Sequence, residues 1–510
     1  MNRKYLLYIT TVLVCCTGLL SCYKDKGNYD YKVLPGFYVD TAGAGGPFTI
    51  RQFNTVTIAP KLVYSGQETN LVYMWRLYLS TGSGVIDTLT TQKNLDKVIN
   101  RIPGSYYLEF RATDKTTGTM ALMRYTLTIQ GLYPYGWMVA HEKDGAADID
   151  LVCATDFMGT LTKDSVYRQL YYKTNNRRLT GSPVAVSQAG IFGTAKADRI
   201  YLLTTTGGAR MTAVDFTHGQ TYPELFNAAP AVIKPEGYGI AFGFELIVND
   251  GGVYFTGTNS ANTFGVRAIE KVKDYQAAPY TIRPYGAYVG VFYDQQNMRF
   301  LALPQYTNEV VTYAAPSSST ALADLSNIGK KMLYMEAGFG QNASPVDAYR
   351  YAFFKDVTGN GRYLYGLNFQ TAGTNPGMLK VDISACPGIA TASNYAIADL
   401  GPFAYYTSGN LVYRIRYDLG TNALSNTAVA FDKIGTGEQI TSMKLFKGAG
   451  LGMPSSMSNR LLFVATWNET TKEGKVYMLR INEVNGEVEP ATYKIFTGFG
   501  KIGDMAPKLS

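Results

Sequence analysis

The stretch "GKVYMLRINEVNGEVEP" (residues 474–490) carries alternating side chains on both sides of Asn485-Gly486. Asn-Gly readily takes the positive φ angles of a tight turn, so the stretch predicts a β-hairpin. Similar pieces recur upstream: "YGWMVAHEKDG", "RIYLLTTTGG", "GGVYFTGTN", "QNMRFLALPQY", "GRYLYGLNF", "GNLVYRIRYD" and "NRLLFVATWNE". With Trp137, Tyr201, Tyr254, Phe300, Tyr363, Tyr413 and Phe463 as anchors, the repeat returns about every 54 residues, near the length of a propeller blade. A four-stranded blade cannot bury both faces alone, so such units must close into a ring. Residues 131–510 are therefore expected to form a β-propeller of seven blades, entered through the hinge "GLYPYGW" (131–137).

Composition points the same way. The 510 residues hold 40 Tyr, 24 Phe and 52 Gly with only 17% charged side chains, which suits pleated sheets joined by glycine turns. Long apolar stripes at helical spacing are absent, and we read the chain as all-β. Its length exceeds one ordinary core, so a second domain is expected. Residues 37–130 supply it. In "LVYMWRLYL" (71–79) Tyr73, Trp75 and Leu77 fall on one face and Met74, Arg76 and Tyr78 on the other, the period of a half-buried strand. "SYYLEFRAT" places Tyr106, Leu108, Phe110 and Ala112 inward, and after a turn at "DKTTG", Tyr125, Leu127 and Ile129 repeat the pattern. A central Trp followed by two alternating strands resembles an immunoglobulin-like or PKD module, although the Trp-Asp-Phe-Gly-Asp-Gly signature is missing.

The chain opens with Arg3 and Lys4, then sixteen mostly apolar uncharged residues (5–20), and the segment ends in Leu19-Leu20-Ser21-Cys22. This is a secretory signal pattern, shorter than the roughly 20 apolar residues that span a bilayer. The four residues resemble the bacterial lipobox, which implies cleavage between Ser21 and Cys22, a signal peptide at 1–21, a lipid on the Cys22 thiol and a polar tether at 22–36. Lys24 and Asp25 resemble the surface-export signal of Bacteroidota lipoproteins, and "DKGNYDY" (25–31) is similar to the opening of that phylum's PKD-like family lipoproteins. That resemblance covers nearly the whole chain beyond the signal and implies an immunoglobulin-like module ahead of a propeller-like remainder. It also implies an outer-membrane location facing the cell exterior.

Chemistry-bearing motifs are sparse. Loss of Arg3 and Lys4 lowers the formal charge from +8 to +6, with Lys and Arg dispersed, so no nucleic-acid partner is expected. There are only two histidines, His141 and His218. "HEKDG" (141–145) lacks the second histidine of a zinc-protease helix and reads as a solvated hairpin turn. "GFGKIG" (498–503) fits Gly-x-Gly-x-x-Gly, yet no helix able to receive a pyrophosphate follows it. Asp144, Asp148 and Asp150 in "DGAADID", and Asp356 in "DVTGNGRY", read as turn residues rather than as catalytic or calcium groups. No metal site, cofactor or catalytic residue is expected. Cys153 and Cys386, the cysteines beyond Cys22, either form a disulfide or lie as separate buried thiols, the reading we adopt. Asp40-Thr41-Ala42, Asp87-Thr88-Leu89 and Asp164-Ser165-Val166 fit the loose glycosylation pattern of the phylum.

Aromatic loops are the remaining binding candidates: "YPYGW", "RPYGAYVGVFYD" (283–294) and "FGQNASPVDAYRYAFF" (339–354). Flat rings suit sugars and peptides, and equally suit packing between blades. No individual ligand-binding residue is assigned. By resemblance, the expected role is a non-enzymatic accessory of a Sus-type nutrient importer, a TonB-dependent barrel with its lidding lipoprotein (the SusC/SusD pair), binding an oligosaccharide or peptide or docking to the importer. Two alternatives stand beside it: a glycoside hydrolase or lyase with its site in the central funnel, and a purely structural scaffold.

Overall fold

The computed structural model describes residues 36–508 apart from 43–44, 83–85, 102, 132, 134, 159–160, 190–198, 242–243, 257–262, 283–287, 305–306, 341–348, 448–454 and 490. The signal segment, Ser21, Cys22, Lys24, Asp25 and the tether as far as residue 35 lie outside the described residues. The chain divides into two compact units, Met1–Ile129 and Gln130–Ser510.

In the first unit a five-stranded sheet runs in the order Phe48–Arg51, Met120–Gln130, Gly104–Asp114, Leu71–Leu79, Asp87–Thr90. Two further antiparallel pairs complete a sandwich, Phe37–Asp40 with Lys61–Tyr64 and Thr55–Ile58 with Leu95–Val98. The inward residues expected from alternation are the core: Trp75, Leu77, Leu108, Phe110, Tyr125 and Leu127 are all buried. Trp75 meets Phe110 at 4.9 Å and Tyr125 at 6.0 Å, and its indole N–H donates to the Lys93 carbonyl at 3.1 Å. That bond satisfies the one polar atom the ring carries inward.

In the second unit, seven antiparallel sheets follow one another among the described residues. The inner strands of blades 2 to 7 are Pro183–Ala189, Pro235–Ala241, Ala277–Ile282, Lys331–Ala337, Tyr395–Ile397 and Glu438–Leu445. Each packs beside the next. Blade 1 is built from both ends of the unit: Gly136–Lys143 and Ala146–Cys153 pair with each other, and Lys501–Lys508 pairs antiparallel with Gly136–Lys143 to supply the inner strand. This strand lies beside the inner strands of blades 2 and 7, so the ring is closed.

Aromatic side chains fill the gaps between blades. Trp137 of blade 1 stacks on Phe463 of blade 7 at 4.1 Å, Tyr201 on Tyr238 at 4.7 Å, and Tyr351 lies 5.2 Å from Tyr417. Near the axis the inner strands approach so closely that a Cβ on Gly503 would meet the Pro183 carbonyl oxygen at 2.2 Å, and one on Gly237 the Pro279 oxygen at 2.2 Å. Glycine is required there for space.

The seven anchors do fall in seven different blades, but on unlike strands. Trp137, Tyr201 and Phe463 sit on the second strand of their blades, whereas Tyr254, Phe300, Tyr363 and Tyr413 sit on the third. This is why their spacing is uneven. The Asn485-Gly486 turn also differs from expectation. Only Gly486 takes a positive φ, 71°, and the flanking pairing is a single bridge, Ile481 with Val488. Asn482 is the cause: its side-chain oxygen accepts from the N–H groups of Val484 (2.9 Å) and Asn485 (3.2 Å), widening the turn into a longer loop.

Candidate functional site

The inner strands bring charged residues together around the axis. Glu336 of blade 5 accepts from the Ile397 N–H of blade 6 at 2.5 Å and pairs with Lys447, which follows the inner strand of blade 7, at 2.8 Å. Asp504 of blade 1 accepts from the Val186 N–H of blade 2 at 3.0 Å and pairs with Lys444 of blade 7 at 3.0 Å. Asp504 holds the Lys444 ammonium above its ordinary range, against burial, with Glu336 and Tyr280 adding to the pull. Tyr280 and Tyr334 meet edge to face at 5.1 Å, and the Tyr280 hydroxyl donates to the Leu333 carbonyl at 3.1 Å.

Both carboxylates therefore tie one blade to two others, and each has an ammonium partner. Sequence reasoning missed all four charged residues. The available signal was a charge inside an otherwise apolar strand, as in "KMLYMEA" and "KIGDMAPK".

A second polar group lies in blade 1. His141, expected in a solvated turn, is instead buried on strand Gly136–Lys143, with Nε2 3.1 Å from Asp150 and Nδ1 accepting from the Gly500 N–H at 3.2 Å. The turn itself comes after the strand ends, at Asp144 (φ 55°) and Gly145 (φ 75°). Asp148 and Asp150 are likewise strand residues, buried and facing the start of the short helix Leu170–Asn175. Asp148 accepts from the Tyr171 and Tyr172 N–H groups at 2.9 and 3.1 Å, and Asp150 from Gln169 N–H at 2.7 Å and Arg168 at 2.8 Å. Burial raises the Asp148 carboxyl above its ordinary range. Burial pushes Asp150 the same way, but His141 and Arg168 outweigh it and the carboxyl ends lower. These contacts hold the helix start and the ring junction together.

At that junction Asp156 of blade 1 receives Arg480 at 2.5 Å and Lys494 at 2.5 Å from blade 7, and Lys494 also reaches Asp164 at 2.8 Å. Of the other residues singled out in the sequence, Asp356 pairs with Lys330 at 2.7 Å, so a lysine ammonium neutralises the loop compared with a calcium site. "GFGKIG" joins strand Lys494–Phe499 to strand Lys501–Lys508. Cys153 and Cys386 are separate buried thiols. Burial pushes Cys153 up to about 12, leaving it a poor nucleophile. Among the described residues no group of three or more His, Cys, Asp or Glu could hold a metal ion.

The aromatic candidates divide. Residues 283–287 and 341–348 lie outside the described residues. Of the rest, Trp137, Tyr293, Tyr351 and Phe354 are buried between blades, and Tyr133 packs edge-on against Tyr167 and Phe216, each at 5.5 Å.

The fold thus defines a β-sandwich unit and a seven-bladed propeller in one chain. Residues 22–183 match the PKD-like family, a span that covers the sandwich and the outer strands of blade 1. No curated protein sequence matches the chain. Among solved structures, a quinonprotein alcohol dehydrogenase-like protein from Bacteroides thetaiotaomicron is similar over 93% of this chain and 99% of its own, at 13% identity and a TM-score of 0.38. The Dos1 propeller aligns with 77% of this chain and 90% of its own, at 9% identity and a TM-score of 0.41. Hsv2p from Kluyveromyces lactis aligns with 73% and 99%, at 6% identity and a TM-score of 0.38.

Proposed function

We propose that this chain is a lipoprotein anchored through Cys22 at the outer face of an outer membrane, where it serves a Sus-type importer as a non-enzymatic accessory that binds an oligosaccharide or peptide or docks to the barrel. The anchor reading is supported by the lipobox-like Leu19-Leu20-Ser21-Cys22 and by Lys24-Asp25 directly after it. The resemblance of "DKGNYDY" to PKD-like lipoproteins, joined by the PKD-like family match over 22–183, supports the importer context. The observation that carries the non-enzymatic part is the pairing at the axis: Glu336 and Asp504 are each held by a lysine and a neighbouring blade's N–H.

Pull-down of the native protein from detergent-solubilised outer membranes, with partners identified by mass spectrometry, tests the proposal. Co-purification of a TonB-dependent barrel with its lid, together with acyl groups on Cys22, is the expected result. A free Cys22 thiol, or protection from protease added to intact cells, overturns it. Turnover of a polysaccharide panel that is lost in Glu336→Gln or Asp504→Asn would replace it with the funnel-enzyme reading.

A further inference from the structure

Among the described residues, half of one edge of the five-stranded sheet has no neighbouring strand. Asp87–Thr90 pairs with Leu71–Leu79 only along Trp75, Arg76 and Leu77. Beyond Thr90 the chain crosses to the other sheet, where Leu95–Val98 pairs with Thr55–Ile58. Among the described residues no strand lies along Leu71–Met74 on that side.

Register shows which backbone groups face the gap. The Ser80 N–H donates to Ser105 at 3.0 Å and the Lys115 N–H to Asn70 at 3.0 Å, at opposite ends of an unshifted antiparallel pairing with strand Gly104–Asp114. Hydrogen-bonded pairs alternate in such a ladder, so Val72 and Met74 bond to Gly104–Asp114 while Leu71 and Tyr73 direct their backbone groups outward. The Leu71 N–H is taken by Glu68. The Leu71 carbonyl and the Tyr73 N–H and carbonyl remain directed along the open edge.

A groove of about 500 Å³ runs along this edge, lined from both faces of the strand by Leu71, Val72, Tyr73 and Met74, with Thr113 and Met120 on the neighbouring strands and Thr91, just past the edge strand, at its rim. Its outer side is apolar and exposed, with Val72 46%, Met74 39% and Met120 50% accessible, and Leu122, two residues along the strand from Met120, extends that apolar face beyond the groove at 45%. Arg111, in the row of Met74 and Leu122, and Arg76 and Arg124, in the next row, surround one buried carboxylate, Glu109, at 2.5, 3.6 and 3.3 Å. Three guanidinium groups against one carboxylate leave positive charge and N–H donors in surplus, and Arg111 also lines the groove.

From this edge, groove and charge we infer a β-augmentation site: an extended peptide segment of another protein adds as a strand along Leu71–Met74, placing aliphatic side chains over Val72, Met74 and Met120 and an acidic side chain against Arg111. Backbone groups on a sheet edge are matched by another extended backbone, and side chains at alternate positions supply the selectivity. A lipid surface would leave the same polar groups without partners in hydrocarbon, so it fits the edge poorly. A second copy of this chain would bring an equal arginine surplus to the contact. The site does not depend on the lipid anchor.

The test is selection of a phage-displayed library of random decapeptides on the full-length protein. We expect enriched sequences in which aliphatic residues alternate with Asp or Glu, and affinity of a synthesised winner to fall by about tenfold or more in Met120→Lys and, separately, in Leu122→Lys, both exposed positions. Arg111→Gln should remove the acidic preference and keep the aliphatic one. N-methylation of alternate peptide residues should abolish binding, which a purely side-chain contact would not require. The inference is overturned if no sequence is enriched, or if winners bind both lysine variants unchanged. It is equally overturned if the face proves instead to support dimerisation of this chain, or binding to phosphatidylglycerol vesicles that the peptide does not displace.

Discussion

The ring and the sandwich treat charge in opposite ways. Around the propeller axis each acid has its own base, Asp504 with Lys444 and Glu336 with Lys447, and each pair also fixes a backbone N–H of another blade. On the sandwich one carboxylate, Glu109, serves three arginines beside exposed valine, methionine and leucine. Matched pairs inside a fold act as fastenings, whereas an unmatched surplus beside apolar surface is what a binding surface retains for its partner.

Removing the strand Lys501–Lys508 should have the largest effect and break the contrast outright. Blade 1 would lose its inner strand, and the propeller's cooperative melting transition should vanish in calorimetry while the sandwich transition survives. Next comes Trp75→Ala. The ring is fully buried between Phe110 and Tyr125, so a loss of about 3–5 kcal/mol is expected in the sandwich transition with the propeller transition unmoved. A shift of both would show that the two units do not melt independently.

Lys508 sharpens the comparison, because it is a base that the ring buries at a cost. It is 2% exposed, and burial lowers its ammonium from the ordinary 10.5 to about 8. With the folded value below the unfolded one, the unfolded chain binds more protons between these pH values. Propeller stability should therefore rise from about pH 8 to 10.5, and Lys508→Met, which also removes the 3.3 Å donation from Nζ to the Tyr133 carbonyl, should flatten that rise. Denaturant titrations across that range check the sign.

Asp156→Asn should cost the propeller about 1–2 kcal/mol, since the Asp156 side chain is almost wholly buried while its partners Arg480 and Lys494 are partly in water. Burial raises the Asp156 carboxyl, but Lys494 and Arg480 outweigh it and hold it low. Its contribution is present above the unfolded carboxylate range and disappears as pH falls through the lowered folded value. The variant's acid limb should accordingly be flatter than the parent's. Arg111→Gln should have the smallest effect on melting, under about 1 kcal/mol, because its guanidinium is partly exposed and Glu109 keeps two other partners.

Much of the architecture was legible in short-range pattern. Period-two alternation placed Trp75, Leu108 and Phe110 inward correctly, because a strand with one wet face writes that period directly into the chain. Blade number followed from counting hairpin cores, even though the aromatic anchors mark different strands in different blades. Pattern gave less where side chains act over long separations. His141 looked like a turn residue because the sequence does not show that Gly500 and Asp150 enclose it. Asn482 overrode the Asn-Gly signal by local hydrogen bonding that periodicity does not register. Glu109 alternates outward as expected, yet its cross-strand partners Arg76 and Arg124, with Arg111 one row away, cover it. The axis pairs escaped notice because their partners come from blades 1, 5 and 7, brought together only by closure of the ring.

That first and last strands share one sheet has a consequence for synthesis. A ribosome or translocon delivers the sandwich early, and its strands all lie within about the first quarter of the chain, so it can mature while the rest is still being made. Blade 1 must wait for residues 501–508, some 360 positions after Gly136, before its sheet is complete. Until then the six later blades face an unfinished neighbour, and a stalled or clipped chain would carry a finished sandwich ahead of an unsealed ring.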